Sequence, residues 1–264
     1  MSVWLKLGLA ALCLYGLLVA VLFLAQRSLI YPAPEAALPP PAGFEQVAYT
    51  TDDGLTLKAA YRAAMDGKPS IVFFHGNGDN WSGAAAATQI MADAGFGILL
   101  PEYRGYSGNP RKPSEHGLYG DGRAAITWIT QQGVGKDKLV LVGNSLGSGV
   151  AVELAVEASP LALILISPYS SMTALAGEKI PWVPASVLLR DRFDSEAKLG
   201  AITSPILILH GQRDELIPIE HARILARTND RVQLVTFPEA GHELAYRPEA
   251  GTAQRNWLAK ILAQ

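Results

Sequence analysis

Residues 139–147, Leu139-Val140-Leu141-Val142-Gly143-Asn144-Ser145-Leu146-Gly147, decide how the rest of the chain is read. The apolar run Leu139–Val142 has the character of a strand buried on both faces. Leu146, Val150 and Leu154 then repeat every four residues, the stripe of a helix lying on a sheet. Gly143-x-Ser145-x-Gly147 therefore falls between a strand and a helix, the setting of a nucleophile elbow. The turn has to be sharp to lift the serine hydroxyl above the sheet. Side chains two residues before and after it would collide, which glycine avoids. A chain with 25 glycines meets the bare pattern by chance, so the strand–turn–helix context carries the inference.

Outward from this turn, short apolar runs alternate with helix-like segments. Strands are expected at Phe44–Thr50, Leu55–Tyr61, Ser70–Phe74, Gly97–Leu100, Leu139–Gly143, Ala162–Ser167, Pro205–His210 and Val232–Phe237. Asp53-Gly54 between the first two predicts an antiparallel hairpin. Helices are expected at about Asn80–Ala94, Leu118–Gln132, Leu146–Ala158, Glu220–Arg227 and Pro248–Leu262. The alternation defines an α/β fold, an eight-stranded and mostly parallel sheet with helices on both faces, which binds ligands at the carboxyl ends of its strands.

A serine needs a base, and the base an orienting acid. The run Pro205–His210 ends in Gly211-Gln212-Arg213-Asp214, and Val232–Phe237 ends in Pro238-Glu239-Ala240-Gly241-His242. Asp214 and His242 are thereby placed in successive strand-end loops, in the order Ser, Asp, His that this architecture demands. Of the other histidines, His75 and His210 end strands and read as structural, while His116 before a helix and His221 within one read as solvated. Glu215 and Glu243 would point away if Asp214 and His242 face the serine. An anionic intermediate requires backbone N–H donors. Leu146 N–H, opening the helix, is one, and Asn77 N–H in His75-Gly76-Asn77-Gly78 is the second candidate. Asn80-Trp81-Ser82 fits a glycosylation sequon, but helix capping by Asn80 explains it better.

The composition sets the class of partner. With 49% hydrophobic and 17% charged residues the chain can bury a core, and a net charge of −2 offers no basic excess for nucleic acid. A single cysteine excludes an intrachain disulfide framework and a cysteine zinc site, and with no HExxH or clustered His/Asp motif neither metal nor cofactor is expected. Leu7–Ala25 is an uninterrupted apolar stretch of transmembrane length. It exceeds a signal-peptide core, and Phe23 stands where an A-x-A site wants a small residue. It is read as a retained anchor over residues 1–27, followed by a proline-rich stem over 28–43 that holds a catalytic domain, 44–264, off the bilayer. Lys6 opposite Arg27 slightly favours a domain on the non-cytoplasmic side. A chain lacking Met1–Arg27 is expected to keep its activity on short soluble esters.

These residues resemble the α/β-hydrolase superfamily, and more closely its small-capped serine hydrolases with an N-terminal membrane anchor. The resemblance covers roughly Leu29–Ala263. Its carriers are His75-Gly76-Asn77-Gly78, Tyr103-Arg104-Gly105-Tyr106-Ser107-Gly108, Gly143-Asn144-Ser145-Leu146-Gly147-Ser148, His210-Gly211-x-x-Asp214, Gly241-His242 and Arg27-Ser28-Leu29-Ile30-Tyr31-Pro32. It implies a catalytic triad of Ser145, Asp214 and His242 with an oxyanion hole from Asn77 and Leu146. Arg104 reads as an ion-pair partner and Tyr103 as a pocket residue. The superfamily inserts its lid where this chain has the short segment Ser167–Asp194. Tyr169, Met172, Leu175, Ile180, Trp182, Val183, Val187 and Leu188 there are apolar enough to form an acyl pocket or to dock against membrane lipid, and core packing explains them equally. The activity implied is cleavage of a small or lipid-like carboxylic ester or thioester through an acyl-enzyme. Amide cleavage by the same machinery and a non-catalytic scaffold are the alternatives.

Overall fold

The computed structural model describes residues 2–34, 36–65 and 67–263; Glu35, within the expected stem, and Met1 and Gln264, at the ends of the expected domain limits, lie outside them. Eight strands, β1 Glu45–Thr50, β2 Thr56–Arg62, β3 Ser70–Phe74, β4 Gly97–Pro101, β5 Leu139–Asn144, β6 Ala162–Ile166, β7 Ile206–Gly211 and β8 Val232–Phe237, form one sheet in the order β1-β2-β4-β3-β5-β6-β7-β8. β1 and β2 pair antiparallel, as do β2 and β4, and every pair from β4 to β8 is parallel. The chain leaves β3 outward to β4 and returns to β5 on the other side of β3. That reversal opens a crevice at the carboxyl ends of β3 and β5, where this architecture binds ligands.

Successive residues of the central strands supply two cores. Val72, Phe74, Leu139 and Leu141 face one side, with Leu118 and Ala125 of α3 (Glu115–Gln131), Val150 and Leu154 of α4 (Leu146–Ala158) and Leu225 of α8 (Ile219–Thr228). Ile71, Phe73, Val140 and Val142 face the other, with Ala84 and Met91 of α2 (Trp81–Asp93) and Trp257 and Leu258 of α9 (Pro248–Ile261). The two-residue period of a strand thus explains why both faces are covered. Asn80 caps α2 through Ser82 N–H, as expected, whereas α3 starts a turn earlier than predicted because Ser114 accepts from Gly117 N–H. The small cap after β6 consists of α5 (Met172–Lys179) and α6 (Ala185–Leu188), and α7 (Ser195–Leu199) leads back to β7.

The N-terminal helix, α1, runs from Val3 to Ile30, 28 residues or about 42 Å, long and apolar enough to cross a membrane. Here the expected division at residue 27 and the stand-off stem are corrected. The helix continues three residues past Arg27, because the prolines that would stop it begin only at Pro32. Arg27 forms a two-pronged ion pair with the buried Asp191, at 2.8 and 3.1 Å. Tyr31 is buried edge-on against Phe193, and Pro34 accepts from Ser107 N–H. The first residues of the expected stem are therefore packed on the α/β body.

Candidate active site

Ser145 caps α4 from the end of β5 with φ 52° and ψ −118°, a conformation that an L side chain adopts only when its surroundings impose it. The flanking glycines impose it by letting strand and helix close up. A Cβ on Gly143 would strike the Gly147 carbonyl, and one on Gly147 the Phe74 carbonyl of β3. The collisions are with backbone, so no rotamer relieves them.

His242, just after β8, places Nε2 3.0 Å from Ser145 Oγ and Nδ1 2.8 Å from Asp214 Oδ2. Asp214 Oδ1 accepts from the N–H groups of Leu216 and Ile217, at 3.0 and 2.8 Å. Burial pushes the Asp214 carboxyl up, but hydrogen bonds from His242 and Ile217 and the nearby imidazoles outweigh it, leaving its pKa below the ordinary aspartate range. An ionised carboxylate only accepts, so Nδ1 of His242 carries the proton and Nε2 turns its lone pair to the serine hydroxyl. Three residues named from separate loops thus form one hydrogen-bonded chain.

Leu146 is the first residue of α4, so its N–H has no partner within the helix and stands beside Ser145. Asn77 lines both of the cavities that Ser145 lines. The loop carrying it is held by two residues that sequence reasoning gave no such part: the Tyr103 hydroxyl donates to the His75 carbonyl at 3.1 Å, and that of Tyr106 to the Asn77 carbonyl at 2.8 Å. Tyr103 is fully buried and lines neither cavity, which corrects its expected pocket role. β4 lies next to β3, so the loops following the two strands meet. His75 packs on both tyrosine rings, with Nε2 3.6 Å from Glu102. Burial lowers its pKa, but Glu102, the Gly76 carbonyl and Asp79 together raise it, and the net shift is upward.

Arg104 is the ion-pair residue expected, joining Asp121 at 2.7 Å and Asp53 at 2.9 Å. His116 is exposed on α3 and His210 is buried, its Nε2 bonding the Ile217 carbonyl at 2.9 Å. His221 differs from expectation. It is fully buried, its Nδ1 against Ser170 N–H and hydroxyl, because the inner face of α8 packs beneath the loop after β6. Glu243 turns away from the serine to Arg247 and Gly241 N–H.

Two cavities flank Ser145. The first, about 230 Å³, is walled by Tyr169, Met172, Leu175, Ile180, Val183 and Leu188 of the cap side, among others. Tyr169 and Met172 thus stand where the pocket reading put them, whereas Trp182 and Val187 remain exposed. The second, about 170 Å³, is more polar in character, with Asn77, Asp79, Asn144, His242 and Tyr246 among its walls. No cluster of three or more His, Cys, Asp or Glu side chains able to hold a metal occurs among the described residues.

This arrangement on this sheet defines a class. The chain belongs to the α/β-hydrolase fold family, whose model matches residues 69–201. It is 35% identical to the uncharacterized protein Rv2307c of Mycobacterium tuberculosis, over 82% of this chain and 80% of that one. With the human protein ABHD12B it shares 31% identity, over 67% of this chain and 57% of that protein. Among solved structures it superposes on the Pyrococcus furiosus esterase Pf2001 with a TM-score of 0.66 at 17% identity, covering 88% of this chain and 98% of that one. A membrane phospholipase A described as a bacterial virulence factor gives a TM-score of 0.68 at 18% identity and covers 98% of this chain and 97% of its own.

Proposed function

We propose that the protein is a membrane-anchored serine hydrolase that cleaves carboxylic ester or thioester bonds through an acyl-enzyme. The observation that carries this reading is the chain Ser145 Oγ, His242 Nε2 and Nδ1, Asp214 Oδ2, at 3.0 and 2.8 Å, opening onto an apolar cavity. Ser145 Oγ adds to the substrate carbonyl as its proton passes to His242 Nε2, and the carbonyl oxygen becomes an anion facing the N–H groups of Asn77 and Leu146. Collapse of that intermediate breaks the bond to the leaving oxygen or sulfur, which takes the proton from His242. Water then adds to the acyl-serine, again losing a proton to His242, and the acid departs as Ser145 recovers its hydrogen. Asp214 stays ionised and orients the imidazole throughout.

Because His242 protonates the leaving group, that group belongs on the side of the second cavity, which His242 lines, and the acyl chain in the apolar one. That an esterase and a membrane phospholipase A share the fold supports an ester over an amide. The apolar α1 supports anchoring. The test is hydrolysis of 4-nitrophenyl and thioester panels by the detergent-solubilised full chain. Turnover should fall by orders of magnitude in Ser145→Ala with the circular dichroism unchanged, and undiminished turnover in the purified variant would refute the reading.

A further inference from the structure

The first cavity has a wall that the cap does not supply. Val19, Leu22, Phe23, Gln26, Leu29 and Ile30 of α1 line it, opposite Met172, Leu175 and Ile180. The spacing 19, 22, 23, 26, 30 is one face of a helix, and these residues are buried or half-buried, whereas Val21 and Leu24 on other faces are exposed. Gln26 is the one strongly polar side chain that α1 puts on this face. Its amide is fully engaged, donating to the Phe23 and Leu188 carbonyls and accepting from Arg190 N–H. The Tyr169 hydroxyl is likewise spent on the Leu146 carbonyl. These walls offer hydrocarbon, and the polar atoms left for a substrate are at the Ser145 end.

The depth of α1 fixes the source of what enters. The Tyr15 hydroxyl bonds the Trp182 carbonyl of the cap at 2.9 Å, and the two rings meet edge to face. Val3–Leu14, beyond that contact, measures about 18 Å, well short of a hydrocarbon core of about 30 Å. A membrane-spanning α1 therefore brings the cap tip, with exposed Trp182 and Val187, into the bilayer. Leu29 and Leu216, exposed although they line the cavity, belong to its rim.

We propose that the C-terminal half of α1 is a specificity-determining wall of an acyl-chain site, which receives an acyl chain of an ester from the bilayer with its carbonyl at Ser145. The proposal rests on the hydrolase reading above. The cavity, about 230 Å³, is lined mostly by apolar side chains and has Ser145 among its walls.

The experiment is a chain-length series of 4-nitrophenyl esters with the solubilised full chain. Leu22→Trp fills the wall and should lower the octanoate-to-acetate ratio of kcat/KM at least ten-fold; Leu22→Ala should move the optimum to longer chains. Leu24→Trp, on the outward face at the same depth, should leave the ratio as in the wild type. An unchanged ratio in both Leu22 variants, in protein whose Ser145 still takes a fluorophosphonate label, overturns the α1 wall and leaves the hydrolase reading intact. Absence of that label and of any ester hydrolysis in the wild type overturns the hydrolase reading and the wall with it. In phosphatidylcholine vesicles, monoacylglycerols should show the same chain-length optimum, and preference confined to dissolved esters would assign the chain to solution instead.

Discussion

At the residue scale, Ser145 is held where its side chain does not want to be. Its φ of 52° is stabilised by no cap of its own, so Ser145→Gly should remove native-state strain that outweighs the extra freedom of glycine in the unfolded chain. Both Ser145→Gly and Ser145→Ala should be inactive, with the glycine variant more stable than the alanine one by about 1 kcal/mol in denaturant unfolding. Asp214→Asn should lower kcat by on the order of 10⁴, since the imidazole loses its orientation and tautomer. The depressed pKa of Asp214 means that its ionisation stabilises the fold above the unfolded value of about 3.9, a contribution lost as pH falls through the lower folded value. The stability gap between the wild type and Asp214→Asn should narrow as the pH falls below about 4. Ser145, Asp214 and His242 were legible because each follows a recognisable strand. Tyr103, Tyr106 and His221 were not, since a hydroxyl bracing a neighbouring loop or an imidazole facing inward leaves no mark in a single sequence. The repeated Tyr-x-x-Tyr after the strand adjoining β3 was the one available hint.

At the scale of elements, α1 is both the clearest and the most misread. Its hydrophobicity was plain, but a helix apolar on every face hides the stripe that packs, because an outward-facing Leu24 and a cavity-facing Leu22 look alike in sequence. The latch that fixes it is equally non-local: Arg27 and Asp191 are separated by 164 positions. Asp191 is buried while the Arg27 side chain is 45% exposed, so removing the cation strands a carboxylate that still accepts from Glu115 N–H. Arg27→Gln should cost about 1 kcal/mol, the usual cost of a buried pair being reduced by that exposure. Hydrogen exchange should rise in residues 180–191 and stay unchanged in β5. Equal exchange in the cap of both proteins would show the ion pair to be ornamental.

For the whole molecule, the order β4-β3-β5 explains how four loops far apart in sequence converge: it sets the Asn77 and Ser145 loops side by side at the point of reversal, with Asp214 and His242 following the strands farther along the sheet. The strand pattern made that much readable beforehand. What it did not convey is that the N-terminal helix belongs to the same body. Deleting residues 2–27 removes Val19, Leu22, Phe23 and Gln26 from the cavity and Arg27 from Asp191. The shortened chain should therefore lose thermal stability and octanoate hydrolysis together, with acetate hydrolysis reduced less; full retention of both would restore the view of a separable anchor. The central claim, that Ser145 is the nucleophile of an ester hydrolase, is tested most directly by mass spectrometry of the full chain after reaction with a fluorophosphonate or a quenched burst of 4-nitrophenyl ester. The account predicts one adduct per chain, on the peptide containing Ser145, absent from Ser145→Ala and formed far more slowly by His242→Gln. Ester turnover with the adduct on another residue, or with Ser145 unmodified, would contradict it.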